Sequence, residues 1–233
     1  MFGDIQTALD PATLSRRLAT RAAWVILAGT CLYGFVFGIW RAPLQGLYSA
    51  IKLPAVFFSV VLASGLINAM FAQLLGARLS FRQTIMAMLL ALASSAALLG
   101  SLAPVVLFFL YQAPAPDPAA MSASIESSSA AHSMKTYWLI LLTHIAIIGA
   151  SGLTGYWRLF SMLRAAIGEP RVARRVLIAW TAISGFVGCE ISWMFSPFLC
   201  KPYQKPHIFP QEYDEANFYE RVGHAVWIMI NEK

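Results

Sequence analysis

The amino-acid sequence predicts an all-α integral membrane protein with about five transmembrane helices. Hydrophobic residues make up 58% of the 233 residues and charged residues only 12%, about half the charged share of a soluble globular chain. In addition, five apolar stretches approach the ~20 residues that a helix needs to cross the hydrocarbon core of a bilayer. So few charges cannot cover a water-facing surface, and most of the surface is therefore expected to face lipid.

The five predicted spans share an apolar composition and a length close to that of a bilayer core. They cover residues 22–40, 53–75, 83–111, 136–157 and 176–196. Together they make a predicted five-helix bundle over residues 22–196. Pro104 falls inside the third span, where a proline removes one backbone hydrogen bond and is expected to kink the helix.

Two amphipathic segments in the first part of the chain, one before the first predicted span and one after it, are predicted to lie at the membrane surface. In residues 1–21 the apolar side chains recur at helical spacing, and Asp10-Pro11 offers a cap and a first-turn proline. We predict a cytoplasmic interfacial helix there. Residues 41–52 have a cation at each end and apolar residues at helical spacing between them, which predicts an interfacial connector.

Two further segments are predicted to lie outside the membrane. Residues 112–135 are rich in Pro, Ala and Ser, a composition that cannot bury enough apolar surface to order itself, so a flexible loop is expected. The tail, residues 197–233, carries apolar residues at helical spacing between Phe218 and Ile230. This stretch is too short to span a bilayer and predicts an amphipathic helix on the membrane or on a partner.

The distribution of Lys and Arg predicts the orientation of the bundle. With the tail left aside, ten of these residues fall on the side of the N-terminus and three on the opposite side. Cytoplasmic loops carry the excess of positive charge. We therefore expect a cytoplasmic N-terminus, cytoplasmic residues 158–175 and a periplasmic C-terminus in a bacterial inner membrane.

The cysteines and the basic residues exclude two other classes of protein. Cys31, Cys189 and Cys200 are an odd number without CxxC or CxxH spacing, so neither a disulfide framework nor a zinc site is indicated. The net charge of +6 comes from cations dispersed beside apolar runs rather than gathered on one polar face. Nucleic acid is therefore not an expected partner, whereas the lipid bilayer is.

Glu190 is the one acid within a predicted span. A carboxylate at membrane depth costs at least ~2.5 kcal/mol on insertion scales unless it is protonated or paired. His144 lies ~12 Å into the fourth span and Glu190 ~9 Å into the fifth from the same side, by the helical rise. The two residues are predicted to form either a polar clamp between helices or an ion or proton site. His144 is also a candidate ligand for haem or a pigment, and bound lipid stays open.

Small residues at helical spacing predict seams where helix backbones approach closely. They are Gly34, Gly38, Gly152, Gly155, Ser184 and Gly188. Asn68, in the second span, is predicted to make a hydrogen bond between helices rather than to bind a ligand.

No catalytic motif of a known type appears in the sequence, neither GxSxG nor HExxH nor a Walker loop nor a dinucleotide fingerprint. Together with the small-residue seams and the amphipathic tail, this favours a non-enzymatic accessory or scaffold subunit that binds other membrane subunits. The alternative is a small transporter or lipid-handling protein that uses the buried Glu190 and His144.

Two short motifs and the predicted arrangement of spans carry a resemblance. The stretches RAPLQGLYSAIKLP at residues 41–54 and SWMFSPF at residues 192–198 resemble bacterial inner-membrane proteins that are distantly similar to the Yip1-like family. The resemblance implies a five-spanning bundle with a cytoplasmic N-terminus and implies no active residue. The long cytoplasmic N-terminal region of the eukaryotic members is not seen here, so their role in vesicle trafficking is not carried over.

Overall fold

Five long helices form the structure, a computed structural model that describes residues 16–115, 128–196, 198–199 and 205–208. The helices are α1 (Arg16–Ile39), α2 (Pro43–Leu74), α3 (Phe81–Gln112), α4 (Ser128–Ile167) and α5 (Pro170–Met194). Each contains a stretch long and apolar enough to cross a membrane. The predicted all-α, multi-pass fold with five spans is confirmed.

The first three helices form the centre of the bundle. α1 packs against both α2 and α3, while α4 packs against α3 and α5 packs against α2 and α4. In the apolar windows of α1, α2 and α3, 44%, 44% and 50% of the residues are buried, against 22% for α4 and 17% for α5. α4 and α5 therefore lie at the periphery, where most of their surface meets the surrounding medium.

The bundle has two ends, which we name after the turns found there. The Trp40 end holds the α1–α2 turn and the chain after α5, and the Gly76 end holds the α2–α3 and α4–α5 turns. A buried apolar cluster fills each end. The cluster at the Gly76 end includes α5 residues such as Trp180, whereas no residue of α5 belongs to the cluster at the Trp40 end among the described residues.

Two tight turns at the Gly76 end follow from local sequence. Gly76 has φ +87°, and its N–H and that of Ala77 donate to the carbonyls of Gln73 and Ala72, the hydrogen bonds of a Schellman motif. Ser80 then starts α3 with a capping box, because its hydroxyl accepts from the N–H of Gln83 and the Gln83 side chain accepts from the N–H of Ser80. Gly168, with φ +77°, turns the chain from α4 into α5.

Glycines let α1 approach its two neighbours at backbone contact. A Cβ added at Gly34 or Gly38 would meet the carbonyl oxygens of Ser49 or Gln45 on α2. On the other side of α1, the same addition at Gly29 would meet the carbonyl oxygen of Ala96 on α3. Both contacts need a residue without a side chain, and the first of them lies at the predicted Gly34–Gly38 seam.

α2 is longer than the sequence indicated. The predicted connector at residues 41–52 is, from Pro43 onward, the first part of α2 rather than a separate interfacial segment. Pro54, the second residue of the predicted span 53–75, lies inside the helix. The charge of Lys52 misled the sequence interpretation, since this side chain is buried within the bundle at 2% exposure.

Several predicted features lie wholly or mostly outside the described residues. They are the N-terminal interfacial helix up to residue 15, residues 116–127 of the predicted loop and the C-terminal amphipathic helix. The end of the predicted loop is described, and residues 128–135 form the first turns of α4 instead.

Substitution of Gly34 tests the backbone contact between α1 and α2. We expect Gly34→Ala to lower the free energy of unfolding by about 1–3 kcal/mol, the usual cost of overpacking a tight contact, because the new methyl group would press on a carbonyl oxygen of α2. Thermal unfolding in mild detergent measures the effect. The matched control is Gly185→Ala, where an added Cβ meets nothing within 4 Å. Equal stability of both variants would contradict the packing described here.

Candidate functional site

A buried polar face on α2 lies at the Trp40 end of the bundle. Gln45, Ser49 and Lys52 are spaced four and three residues apart, so they share one side of the helix. Each is at most 2% exposed. Polar groups at such depth need hydrogen-bond partners, because leaving them unsatisfied costs free energy.

The chain that follows α5 supplies one of these partners. The carbonyl oxygen of Phe198 accepts hydrogen bonds from Gln45 Nε2 at 3.2 Å and from Ser49 Oγ at 2.5 Å. Lys52 Nζ lies 6.0 Å from the centroid of the Phe198 ring, within the range of a cation–π contact. Three side chains of α2 thus hold the backbone and the ring of Phe198 against the bundle.

His144 is the most deeply buried titratable side chain of α4 in the described residues, at 1% exposure. Its Nδ1 lies 2.9 Å from the hydroxyl of Tyr33 on α1. The ring of Phe37 lies over the imidazole with the centroids 4.2 Å apart, and Phe37 in turn stacks on Phe198 at 5.8 Å. A continuous contact therefore runs from the chain after α5, through α1, to the imidazole on α4.

Comparison with known proteins adds no identity to this geometry. No protein-family model, no curated protein and no solved structure matches the chain. The resemblance to Yip1-like proteins thus rests on the sequence alone.

The second nitrogen of the imidazole is buried without a partner. Nε2 of His144 makes no hydrogen bond in the described part of the chain. A buried polar atom left unsatisfied costs about 1–3 kcal/mol, and such atoms in native structures call for an explanation. Nε2 is therefore the atom of this site that lacks a hydrogen-bond partner among the described residues and calls for one.

An apolar cleft of about 360 Å³ opens beside His144 between α3 and α4. Its lining is mostly aliphatic and aromatic, with two threonines and the imidazole as the polar groups. The residues around it are Val106, Phe109, Leu110, Ala113, Pro114, Thr136, Leu139, Ile140, Thr143 and His144. The Trp40 Nε1–H donates to the carbonyl of Pro114 at 3.0 Å, which ties this wall of the cleft to the end of α1.

The structure does not join Glu190 to His144. Nδ1 of the imidazole is bonded to Tyr33, Nε2 has no partner, and Glu190 is half-buried without a hydrogen bond or ion pair among the described residues. The position of a residue along its helix indicates its depth in the membrane, but not the direction of its side chain around the helix axis. His144 faces α1, whereas no α5 residue reaches the apolar cluster at the Trp40 end.

The predicted polar contact through Asn68 is confirmed. Asn68 Nδ2 donates to the hydroxyl of Ser184 on α5 at 2.9 Å. The Trp180 Nε1–H donates to the backbone carbonyl of Asn68 at 2.7 Å. Ser64 Oγ lies 3.2 Å from the same Ser184 hydroxyl. The polar clamp between helices thus joins α2 to α5 rather than α4 to α5.

The predicted small-residue seams have different outcomes. A Cβ at Gly155 would meet the Ala91 carbonyl oxygen on α3 at 2.9 Å, and one at Gly188 would lie 3.4 Å from a methyl group of Val60 on α2. Both residues line helix contacts, as Ser184 does. At Gly152, however, an added Cβ meets nothing within 4 Å. This residue lies on a face of α4 that none of the five described helices covers.

Sequence interpretation missed several residues of the site. The spacing of Gln45, Ser49 and Lys52 was the available signal, since a polar face within an apolar helix indicates an internal contact. No signal in the sequence pointed to Tyr33 or Phe198 as neighbours of this face.

The described residues contain no group of three His, Cys, Asp or Glu that could hold a metal ion, and haem or pigment binding by His144 stays a prediction.

A double-mutant cycle tests the contact between Tyr33 and His144. We expect Tyr33→Phe to lower the free energy of unfolding by about 1 kcal/mol, within the range of hydrogen bonds between helices in membranes. In a chain that already carries His144→Phe, the change Tyr33→Phe should lower the free energy of unfolding by less than it does alone, because the hydrogen bond is already lost. Thermal unfolding in detergent provides the values. Tyr111→Phe is the control, at a side chain 90% exposed, and strictly additive effects would contradict the contact.

Proposed function

We propose that this protein is a non-enzymatic accessory or scaffold subunit of a larger membrane complex. The observation that carries the proposal is an uncovered face of small residues on α4. Ala146, Gly149 and Gly152 are exposed, and a Cβ added at either glycine meets nothing within 4 Å. We call these three residues the α4 seam.

The physical argument is that glycine is poorly suited to a helix face that only lipid covers. It weakens a helix relative to alanine, and it offers little surface for lipid contact. Its advantage in a membrane arises when a second helix approaches at backbone distance, as α1 and α2 do at Gly34. The α4 seam has the same residue types, but none of the described helices lies upon it, and we propose a membrane helix of another subunit as its occupant.

Glu190 supports the same proposal from the neighbouring helix. Every described α5 residue after Trp180 is half-buried or exposed, so this half of α5 contributes nothing to the core. Glu190 lies there without a hydrogen bond or ion pair among the described residues. A carboxylate in an apolar span favours a partner that carries a basic or hydrogen-bonding group.

Photo-cross-linking at the α4 seam tests this function. A photoactivatable amino acid replaces Leu153, an exposed residue beside the seam, or Leu62, an even more exposed residue of α2 that serves as control. We expect one protein adduct of constant mass from position 153 and none from position 62. An adduct with twice the mass of this chain would reveal a second copy, and lipid adducts alone would reveal a bare surface; either would contradict the proposal.

Substitution of the seam provides the second half of this experiment. Gly149→Leu with Gly152→Leu should leave the thermal stability of the chain unchanged, since both positions are open, but should abolish the adduct at position 153. Ala63→Leu, at an exposed position of α2, is the matched control and should leave the adduct intact.

We further propose that the Gly76 end faces the cytoplasm of a bacterial cell, which puts the N-terminus inside and the C-terminus in the periplasm. Nine exposed arginines support this orientation, all at the Gly76 end of the described chain: Arg16, Arg17, Arg21, Arg78, Arg82, Arg164, Arg171, Arg174 and Arg175. At the Trp40 end Arg41 is half-buried and Lys52 is buried, and Lys205, in the chain after α5, is the one described cation there that is exposed. The positive-inside rule therefore favours this orientation.

Reporter fusions check the orientation. A reporter active only in the periplasm should be active after residue 115 and inactive after Gly76 and Gly168, because successive loops alternate sides. A reporter active only in the cytoplasm should show the opposite pattern at the same three positions. Periplasmic activity at Gly168 would reverse the proposed orientation while leaving the five-helix fold intact.

A further inference from the structure

We infer that the cleft between α3 and α4 is a binding site for an uncharged amphiphile, whose hydroxyl group bonds to Nε2 of His144 and whose apolar chain lies along the cleft. This inference does not depend on the accessory role, because it concerns a site within the single chain. It rests on the shape of the cleft, on its lining and on the state of the imidazole.

The size of the cleft suits part of a lipid-like molecule. Its volume of about 360 Å³ lies in the lower part of the range of small-molecule sites, roughly 300–1,000 Å³. The lining also has the composition usual for such sites, which is mainly apolar with a few polar groups that fix orientation. Phe109 and Leu139 are well exposed at its rim, so a ligand can enter from the side of the bundle.

The imidazole is oriented before any ligand arrives. The Tyr33 hydroxyl lies at Nδ1, and the ring of Phe37 covers one face of His144. Because Nδ1 is bonded to Tyr33, Nε2 is the imidazole atom left for a ligand; it is buried and has no hydrogen-bond partner among the described residues. A side chain whose orientation is already fixed binds a ligand without a further loss of conformational freedom.

The charge and hydrogen-bonding character of the site select the head group. None of the described residues that line the cleft is charged, and an ionised head group among them would be desolvated without compensation. Either tautomer of the neutral imidazole can bond to the Tyr33 hydroxyl through Nδ1, so Nε2 is a donor when Nδ1 accepts and an acceptor when Nδ1 donates. A hydroxyl both donates and accepts, and it therefore matches either arrangement.

Photoaffinity labelling of the full chain in nanodiscs of phosphatidylcholine and phosphatidylglycerol tests this site. Three diazirine probes of equal chain length end in a primary alcohol, a methyl group or a carboxylate. We expect the alcohol to label residues 106–114 and 136–144 about fivefold more than the methyl probe, the factor that one ordinary hydrogen bond contributes. The carboxylate probe should label these residues less than the alcohol.

Two pairs of variants locate the effect. His144→Phe should bring labelling by the alcohol down to that of the methyl probe, whereas His144→Gln, which keeps a hydrogen-bonding group, should retain part of the preference. Thr143→Trp should block labelling by every probe, because Thr143 lines the cleft and is exposed. Leu142→Trp, at the adjacent exposed residue outside the cleft, is the control and should label as the unaltered chain does.

Three outcomes would overturn the inference. Equal labelling by the alcohol and methyl probes in the unaltered chain would mean that the cleft is filled by unspecific lipid or by water. A preference for the alcohol that survives in His144→Phe would remove the imidazole from the site. If His144→Phe does not fold, Thr143→Trp and Leu142→Trp decide, and equal labelling of these two would place the probes outside the cleft.

Discussion

The backbone contacts of α1 with α2 and α3 hold the centre of the bundle together. Gly34 and Gly38 bring α1 against α2, and Gly29 brings it against α3. In a bilayer the hydrophobic effect does not drive helices together, since lipid chains are as apolar as the side chains they would replace. Close packing and hydrogen bonds must do so instead. α4 and α5 are then added to an assembled centre, which accounts for their low burial.

Polar side chains inside the bundle serve as specific connections between helices. Asn68 and Trp180 connect α2 with α5 through two hydrogen bonds, and Tyr33 connects α1 with α4 through His144. Each connection can form in only one register of the two helices, because a polar group displaced by one turn would face an apolar surface. Such contacts thereby fix the register of neighbouring helices, which close packing at glycines alone would not determine.

The sequence predicted the fold class, the five helices and the close approach at Gly34 and Gly38, because these depend on local composition and spacing. It also identified His144 and Asn68 as internal polar residues. It could not pair them correctly, since depth in the membrane follows from the position along a helix while direction depends on which helices become neighbours. Lys52 shows the same limit: its charge indicated a membrane surface, although its actual position depends on the contact of α2 with Phe198.

The contact of Phe198 with α2 has a consequence for the order of assembly. During synthesis the chain emerges from its N-terminus, so α1, α2 and α3 can associate through their glycines before α4 and α5 exist. The stack over His144 needs Phe37, which is made early, and Phe198, which follows the last span. The two hydrogen bonds to the Phe198 carbonyl therefore close the polar face of α2 only after all five described helices have been made. Until then the hydroxyl of Ser49 lacks this acceptor, and water or lipid head groups can take its place.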